Sequence, residues 1–456
     1  MGQAMEHLDT IVVGMGPGGE SVASRLLGEG RRVAVIEGDL IGGECAYYAC
    51  IPSKVLLRAP EAQREAGGVA GLSRPELDWD GLRGYRDGMI RHLDDSAQVE
   101  DYRDLGARVF KGRARLVGRD PWRVVVNGTE LRADHVVLAT GSEPVLPPIE
   151  GLSDLGSDVV WTNREATTLE SIPERAVVVG GSAVGVELGQ FLASLGSRVT
   201  VVQRGGRLLD REDPRLCELI AEQFERDGID VRTGTQVSSV ARQGEDVLAH
   251  LDDGTRLETD VVVLATGRRP RAEGLGLEEV GVDTDGGLPV VDERCRLAPG
   301  LWAVGDLTGQ AMFTHVAKYQ ARVVTDNMLG RDHRADYTGV PRVVFSCPEV
   351  AAVGSTEAAA RERGLDPVVA EVDLTAELAR PWTYESEPRA ELGLVADRSS
   401  GVLVGAWVFA PLSSEWIHTA ALAIRARIPV RTLRDAVFQF PTFSEGYLSA
   451  LDQLDL

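Results

Sequence analysis

Asp9-Thr10-Ile11-Val12-Val13-Gly14-Met15-Gly16-Pro17-Gly18-Gly19, near the start of a chain of 456 residues, decides how the rest is read. A short strand of buried character runs into a glycine-rich turn, and an amphipathic helix follows through Leu27. A second strand, Arg32–Ile36, then ends at Glu37. Strand, glycine turn, helix and strand in this order make a βαβ unit with dinucleotide-binding geometry. Gly14 permits the tight turn, Gly16 lets the backbone approach a pyrophosphate, and Gly19 allows close packing of helix on strand. The helix N-terminus then offers free N–H groups and a positive dipole end to the phosphates. Glu37 is placed to bind a ribose hydroxyl pair.

The same order returns at Ala176–Val179, Gly180-Gly181-Ser182-Ala183-Val184-Gly185, a helix to Leu195, and Arg198–Val202. Here the middle glycine is Ser182, and the second strand ends without an acid, at Gln203 and Arg204, with Arg207 and Arg211 close by. A carboxylate there would repel a 2′-phosphate, whereas an arginine attracts it. Gly180, Gly185 and Arg204 are therefore expected to hold NADPH in preference to NADH, which stays possible. The other reading of these arginines is a solvated loop. Each repeat is followed by a closing segment, His135–Gly141 and Val261–Gly267, that reads as a buried strand ending in a glycine turn. Arg123–Val126 and Val247–Leu251 suggest small hairpins with Asn127-Gly128 and Asp253-Gly254 turns. Residues 58–105 look helical and polar. After Gly330 come strands at Arg342–Phe345 and Gly401–Val408, then helices from Ser414 onward, an α+β pattern.

With 48 Lys and Arg against 70 Asp and Glu, the chain carries a formal net charge of -22. Such a surface repels phosphate backbones and anionic headgroups, so neither nucleic acid nor membrane is an expected partner. No apolar run reaches the roughly 18–20 residues that cross a bilayer. Met1–Leu8 leads straight into the first strand without a signal-peptide layout, and Glu6 breaks the myristoylation pattern. A cytoplasmic location is expected. Five cysteines are too few and too scattered for a disulfide scaffold.

Two of them lie in Gly42-Gly43-Glu44-Cys45-Ala46-Tyr47-Tyr48-Ala49-Cys50-Ile51-Pro52-Ser53-Lys54. On one ideal helix, at about 100° per residue, cysteines five apart do not face each other, so pairing them needs a distorted turn. The spacing alone leaves three readings: a redox pair, half of a metal site, or two structural thiols. No second Cys/His pair with ligand spacing exists, so no metal is expected.

This segment resembles the active-site signature of the flavoprotein disulfide reductases, a family that includes dihydrolipoamide dehydrogenase and glutathione and mercuric reductases. The likeness continues in Ala139-Thr140-Gly141-Ser142, in Leu301-Trp302-Ala303-Val304-Gly305-Asp306, and in Cys347–Gly354, which looks like the start of that family's dimerisation domain. The resemblance implies an α/β chain with two Rossmann-like dinucleotide-binding domains and a C-terminal α+β dimerisation domain. Its expected division is residues 1–150 (FAD-binding, first part), 151–270 (NAD(P)-binding), 271–335 (FAD-binding, second part) and 336–456 (dimerisation). FAD would lie on Gly14, Gly16, Gly19, Glu37, Lys54, Thr140, Gly141 and Asp306. Cys45 and Cys50 would form the redox disulfide, with Cys50 against the flavin and Cys45 as the interchange thiol. Lys54 and Glu187 match the family's ion pair beside the flavin. A homodimer and a small-molecule electron acceptor are implied.

One departure bears on function. Thiol-active members carry a histidine ahead of a Pro-Thr-x-x-x-Glu-like segment near the C-terminus. This chain reads Phe440-Pro441-Thr442-Phe443-Ser444-Glu445, keeping the glutamate but not the base. Such acid–base help is worth about 10²- to 10⁴-fold. Tyr47, Tyr48, His315 and His418 are candidate substitutes, and Cys217, Cys295 and Cys347 read as structural. Three functions follow: a disulfide reductase for an unusual small substrate, a quinone or dye reductase, and a low-turnover redox-sensing flavoprotein.

Overall fold

The computed structural model describes residues 7–244 and 246–456. The signal and myristoylation readings fall largely on residues 1–6, outside the described residues. The chain groups into two compact units. The first comprises Met1–Ser53, Gly84–Val145 and Arg268–Asp336; the second comprises Lys54–Arg83, Leu146–Gly267 and Tyr337–Leu456.

The first unit is built on an eight-stranded sheet. Its first strand, His7–Val13, pairs in parallel with Val33–Glu37 on one side and Thr129–Leu138 on the other. The chain thus reverses direction across the sheet at the C-terminal end of His7–Val13, the topological switch point at which such sheets bind ligands. Both faces of these strands are covered. Ile11, Val13 and Leu138 face one apolar cluster, and Val12, Val35 and Val137 face a second together with helices Pro17–Gly28 and Thr314–Met328. This two-sided burial accounts for the unbroken apolar runs in the sequence. The Trp122–Val126 strand returns antiparallel into Thr129, and Asn127 and Gly128 both take positive φ, 48° and 77°, as a two-residue hairpin turn requires.

In the second unit, a five-stranded parallel sheet runs in the order 230–233, 198–203, 175–179, 261–264, 160–161. Val237–Gln243, Asp246–Leu251 and Arg256–Thr259 form a three-stranded antiparallel sheet. A five-stranded antiparallel sheet is formed by Pro341–Val344, Glu349–Gly354, Val402–Ala410, Glu391–Asp397 and Pro367–Asp373. Its strands alternate faces: Val350, Ala352, Trp407 and Phe409 join the core of the parallel sheet, whereas Ala351, Val353, Val408 and Ala410 pack on the C-terminal helices. The chain therefore has two dinucleotide-binding α/β modules and a C-terminal α+β module.

Candidate active site

The cysteines stand on two helices rather than one. Gly43–Tyr47 is a single short turn, and Tyr48 leaves helical geometry at φ −135°, ψ 2°, before Cys50 opens the helix Cys50–Gly68. The break supplies the reorientation that one ideal helix would deny the pair. The glycines ahead of it seat the turn against the phosphate loop. Gly42 donates its N–H to the Met15 carbonyl at 2.7 Å, and a Cβ on Gly43 would lie 2.7 Å from the Gly16 Cα.

Neither cysteine is in a disulfide, and one side chain touches both sulfurs. The Thr314 hydroxyl donates to Cys45 Sγ at 3.3 Å and lies 3.3 Å from Cys50 Sγ. Cys45 is held well above the usual thiol range, first by its hydrogen bond with Cys50, then by burial and by repulsion from Cys50; Thr314 and Lys318 pull the other way. The neighbouring Glu44 pairs with Arg268 and, at 3.2 Å, with Arg271. Arg268 donates to Ser142 Oγ at 2.8 Å, and that hydroxyl donates to Asp306 Oδ2 at 2.5 Å. A polar chain therefore joins the cysteine turn to Asp306.

The glycine loop fits a dinucleotide. Helix Pro17–Gly28 begins with Pro17, has Gly16 at its N-cap and receives no side-chain cap, so its first N–H groups await an acceptor. Gly14 has φ +94°, and a Cβ there would lie 2.3 Å from the Ala139 carbonyl oxygen; a Cβ on Gly19 would lie 1.9 Å from that of Gly14. Glu37 accepts the N–H groups of Met15 at 2.6 Å and Asp39 at 2.7 Å, while burial pushes its carboxyl up. Thr140 donates to the Arg271 carbonyl at 2.7 Å, and Gly141 accepts the Arg271 N–H at 2.9 Å.

The second unit repeats this mould. Cβ atoms on Gly180 and Gly185 would meet the Ala265 oxygen at 2.5 Å and the Gly180 oxygen at 1.9 Å. Ser182, in the place of Gly16, turns its hydroxyl onto the Ala265 carbonyl at 2.9 Å. Gln203 accepts the Gly181 N–H at 3.0 Å, as Glu37 accepts that of Met15. Arg204 is exposed and makes no ion pair among the described residues. Lys54 and Glu187 pair at 2.6 Å; Glu187 also accepts the Phe345 N–H at 2.9 Å, and the ammonium lies 4.4 Å from the centre of the Phe345 ring. Glu445 accepts the Thr442 N–H at 2.9 Å in a capping box, whereas Phe440 is 66% exposed.

Of the substitute bases, Tyr47 is buried, donates to the Ile41 carbonyl and is pushed up by burial, which removes it from proton transfer near neutrality. His315 stacks on Phe313 at 5.1 Å, and His418 opens the exposed start of helix His418–Arg425. No helix among the described residues is long and apolar enough to cross a membrane.

Residues 8–321 match the family model described as pyridine nucleotide-disulphide oxidoreductase, and residues 340–451 match its dimerisation domain. The chain belongs to the pyridine nucleotide-disulphide oxidoreductase family. It is thus an NAD(P)H-dependent flavoprotein disulfide oxidoreductase of a family that binds FAD and NAD(P)H. Among its relatives, a dihydrolipoyl dehydrogenase of Thermus scotoductus is 35% identical over 99% of this chain and 98% of its own length. A mercuric reductase of Streptomyces lividans is 35% identical over 97% and 95%. Among solved structures, the HOCl-induced flavoprotein disulfide reductase RclA from Escherichia coli, as its Cu(II) complex, superposes with a TM-score of 0.87 at 27% identity, covering 98% of this chain and 99% of that one.

Three elements escaped the reading of the sequence. Thr314 left no signal, since a lone threonine after Phe313 is unremarkable. Arg268 and Arg271 follow the closing segment Val261–Gly267 and belong to no motif. The Thr442–Glu445 capping box did have a signature, Thr-x-x-Glu ahead of an apolar stretch.

Proposed function

We propose that this oxidoreductase passes electrons from NADPH through FAD and a Cys45–Cys50 disulfide to a small disulfide-type acceptor. The observation that carries this reading is the placement of both sulfurs on one hydroxyl, Thr314, within the unit that holds the Gly14 loop. The overall change is NADPH + H⁺ + RSSR to NADP⁺ + 2 RSH. FAD, when bound, supplies the two-electron coupling between nicotinamide and disulfide.

The protein's own groups then divide the work. Gly14, Gly16, Gly19 and Glu37 bind the dinucleotide phosphates and ribose, with Thr140, Gly141 and Asp306 completing the cradle. Gly180, Gly185 and Arg204 take NADPH, the guanidinium meeting the 2′-phosphate. Lys54, steadied by Glu187, is the cation that offsets negative charge on the flavin. Cys50 is the flavin-side thiolate, and Cys45 attacks the acceptor, leaving a mixed disulfide that Cys50 resolves. Glu445 orients the C-terminal segment. The family's dimerisation domain supports a homodimer.

Counting thiols tests this. Anaerobic NADPH should expose two additional alkylatable cysteines per chain, assigned by mass to Cys45 and Cys50. Consumption of NADPH with an acceptor but no change in either thiol would reject the reading. A second reading, direct reduction of quinones or dyes, is favoured by one observation, the exposed Phe440 in the place of the proton-shuttling histidine. Acceptor turnover that survives alkylation of both cysteines would select it.

A further inference from the structure

Helix Thr314–Met328 begins with the threonine whose hydroxyl lies 3.3 Å from both sulfurs. Val316, Ala317, Gln320 and Ala321 turn one face of this helix into the core. Lys318 and Arg322 stand four and eight residues beyond Thr314, a spacing that carries all three along one slowly turning stripe. The Cα–Cβ bonds of a helix tilt toward its N-terminus, so both long stems start out in the direction of the sulfurs. Both residues are exposed, and neither makes an ion pair among the described residues; the Arg322 guanidinium rests 5.6 Å from the centre of the Tyr319 ring. The neighbouring Arg25, Arg268 and Arg271 are each matched to a carboxylate, in a chain whose net charge is -22. Two unmatched cations beside the cysteines are therefore out of keeping with the rest of the surface. We propose that Lys318 and Arg322 form a cationic track that selects an anionic acceptor, a small disulfide with carboxylates close to its sulfurs. This names the acceptor class for the Cys45–Cys50 pair and rests on the reading of that pair as the redox centre.

The spacing sets the size of the acceptor. With a rise of about 1.5 Å per residue, the two cations stand about 6 and 12 Å along the axis from Thr314, which marks the sulfurs. A disulfide meeting Cys45 thus brings a carboxylate a few bonds from its sulfur to Lys318, and a more distant one to Arg322. Lysine meets such a group as a point charge, whereas arginine can hold it in two parallel hydrogen bonds. The acids nearby are already engaged: Glu44 with Arg268 and Arg271, Asp326 with Arg25 and His333. Glu20, in the first turn of Pro17–Gly28, lies in the field of both Lys318 and Arg91, and burial pushes its carboxyl up. Lys318 also acts on Cys45, where its charge favours the thiolate. Its loss would therefore slow every disulfide to some extent, and only the comparison between acceptors isolates recognition.

The test is kcat/KM of the NADPH-driven holoenzyme for small disulfides that differ in charge: dithiodipropionate (a dianion), hydroxyethyl disulfide (neutral) and cystamine (a dication). Wild type should prefer the dianion to the neutral disulfide by about threefold or more and disfavour cystamine by a similar factor, as exposed charge pairs allow. Lys318→Gln combined with Arg322→Gln should bring the acceptors near parity, and Lys318→Glu should invert their order. In about 1 M salt, where the screening length falls to about 3 Å, the wild-type preference should shrink toward that of the double variant. Wild-type rates that ignore acceptor charge overturn the track. A loss in the double variant that is equal for all the disulfides also overturns it, because Lys318 would then serve the Cys45 thiolate alone. Turnover of dithiodipropionate that survives alkylation of Cys45 and Cys50 rejects the redox-pair reading itself, and the track falls with it, whatever the charge ratios.

Discussion

Gly16 and Gly19 sit three residues apart in one loop, yet alanine at each should do opposite things. A Cβ on Gly16 finds its nearest neighbour, the Gly43 Cα, at 4.0 Å, which is ordinary contact. Gly16 has φ −73°, so alanine meets no backbone strain either. The lost N-cap preference, up to about 1 kcal/mol, is offset by about 0.4–1 kcal/mol of reduced unfolded-state entropy. Flavin-free Gly16→Ala should therefore unfold within about 0.5 kcal/mol of wild type, as substitutions that meet nothing do. The methyl group, however, fills the space through which a pyrophosphate reaches the backbone. Overpacking of about 1–3 kcal/mol then weakens FAD binding about 5- to 150-fold. At Gly19 the Cβ would fall 1.9 Å from the Gly14 oxygen, so loop or helix must shift by more than an ångström whether or not FAD is present. Gly19→Ala should lose about 1–3 kcal/mol or more of stability in the flavin-free protein itself. Urea unfolding of deflavinated protein, with calorimetric FAD titration, separates the two effects. Gly16→Ala protein that binds FAD like wild type would refute the assignment of this loop to the pyrophosphate. Gly19→Ala protein of undiminished stability would refute the packing argument.

Arg204→Glu should raise KM for NADPH far more than KM for NADH, since one charge-assisted phosphate contact is worth roughly 1.5–3 kcal/mol; equal effects on both would dismiss Arg204 as the 2′-phosphate ligand. Cys50→Ser should abolish the long-wavelength thiolate-to-flavin absorbance of the reduced enzyme and Cys45→Ser should keep it, a distinction checked by anaerobic spectrophotometry. Phe440→His, beside Glu445, should add disulfide turnover with a pH dependence near neutrality while quinone reduction hardly changes; wild-type lipoamide rates already typical of the family would count against it. Burial lifts the Glu37 carboxyl, so the folded chain binds that proton more tightly than the unfolded chain does. Ionised Glu37 therefore destabilises the flavin-free protein at neutral pH, and the penalty fades as pH falls through the raised value. Glu37→Gln should flatten that part of the stability profile, measured by thermal unfolding from neutral to acidic pH.

What the sequence disclosed was whatever lies contiguous in it. The glycine loops and their strands are local patterns whose spacing is the message, whereas the Cys45–Lys54 segment is legible as a redox motif through family resemblance, its spacing alone leaving three readings. That a pairing of Cys45 with Cys50 needs a distorted turn was legible from the spacing, but its place at Tyr48 was not, because Ala-Tyr-Tyr-Ala carries no glycine or proline to mark a break. Thr314 comes to the sulfurs from 264 and 269 residues away, and Arg268 reaches Glu44 across 224. No periodicity encodes such meetings; only the folded sheet brings them about. The Lys54–Glu187 pair, 133 residues apart, was legible solely through family resemblance.

The recurrence of one backbone mould at Gly14–Gly19 and Gly180–Gly185 has a consequence for how this protein can change over evolutionary time. In both copies the loop shape is dictated by carbonyl oxygens that leave no room for a side chain, and so it resists drift. The freedom lies downstream, in whatever closes the loop from the tip of the second strand: a carboxylate at Glu37 in one copy, a carboxamide at Gln203 in the other. Under the proposed assignment of the second loop to NADPH, coenzyme choice is uncoupled from the backbone mould of the loop. A lineage could then exchange one nicotinamide for another through one or two substitutions at the tip of that strand, leaving the glycine mould untouched.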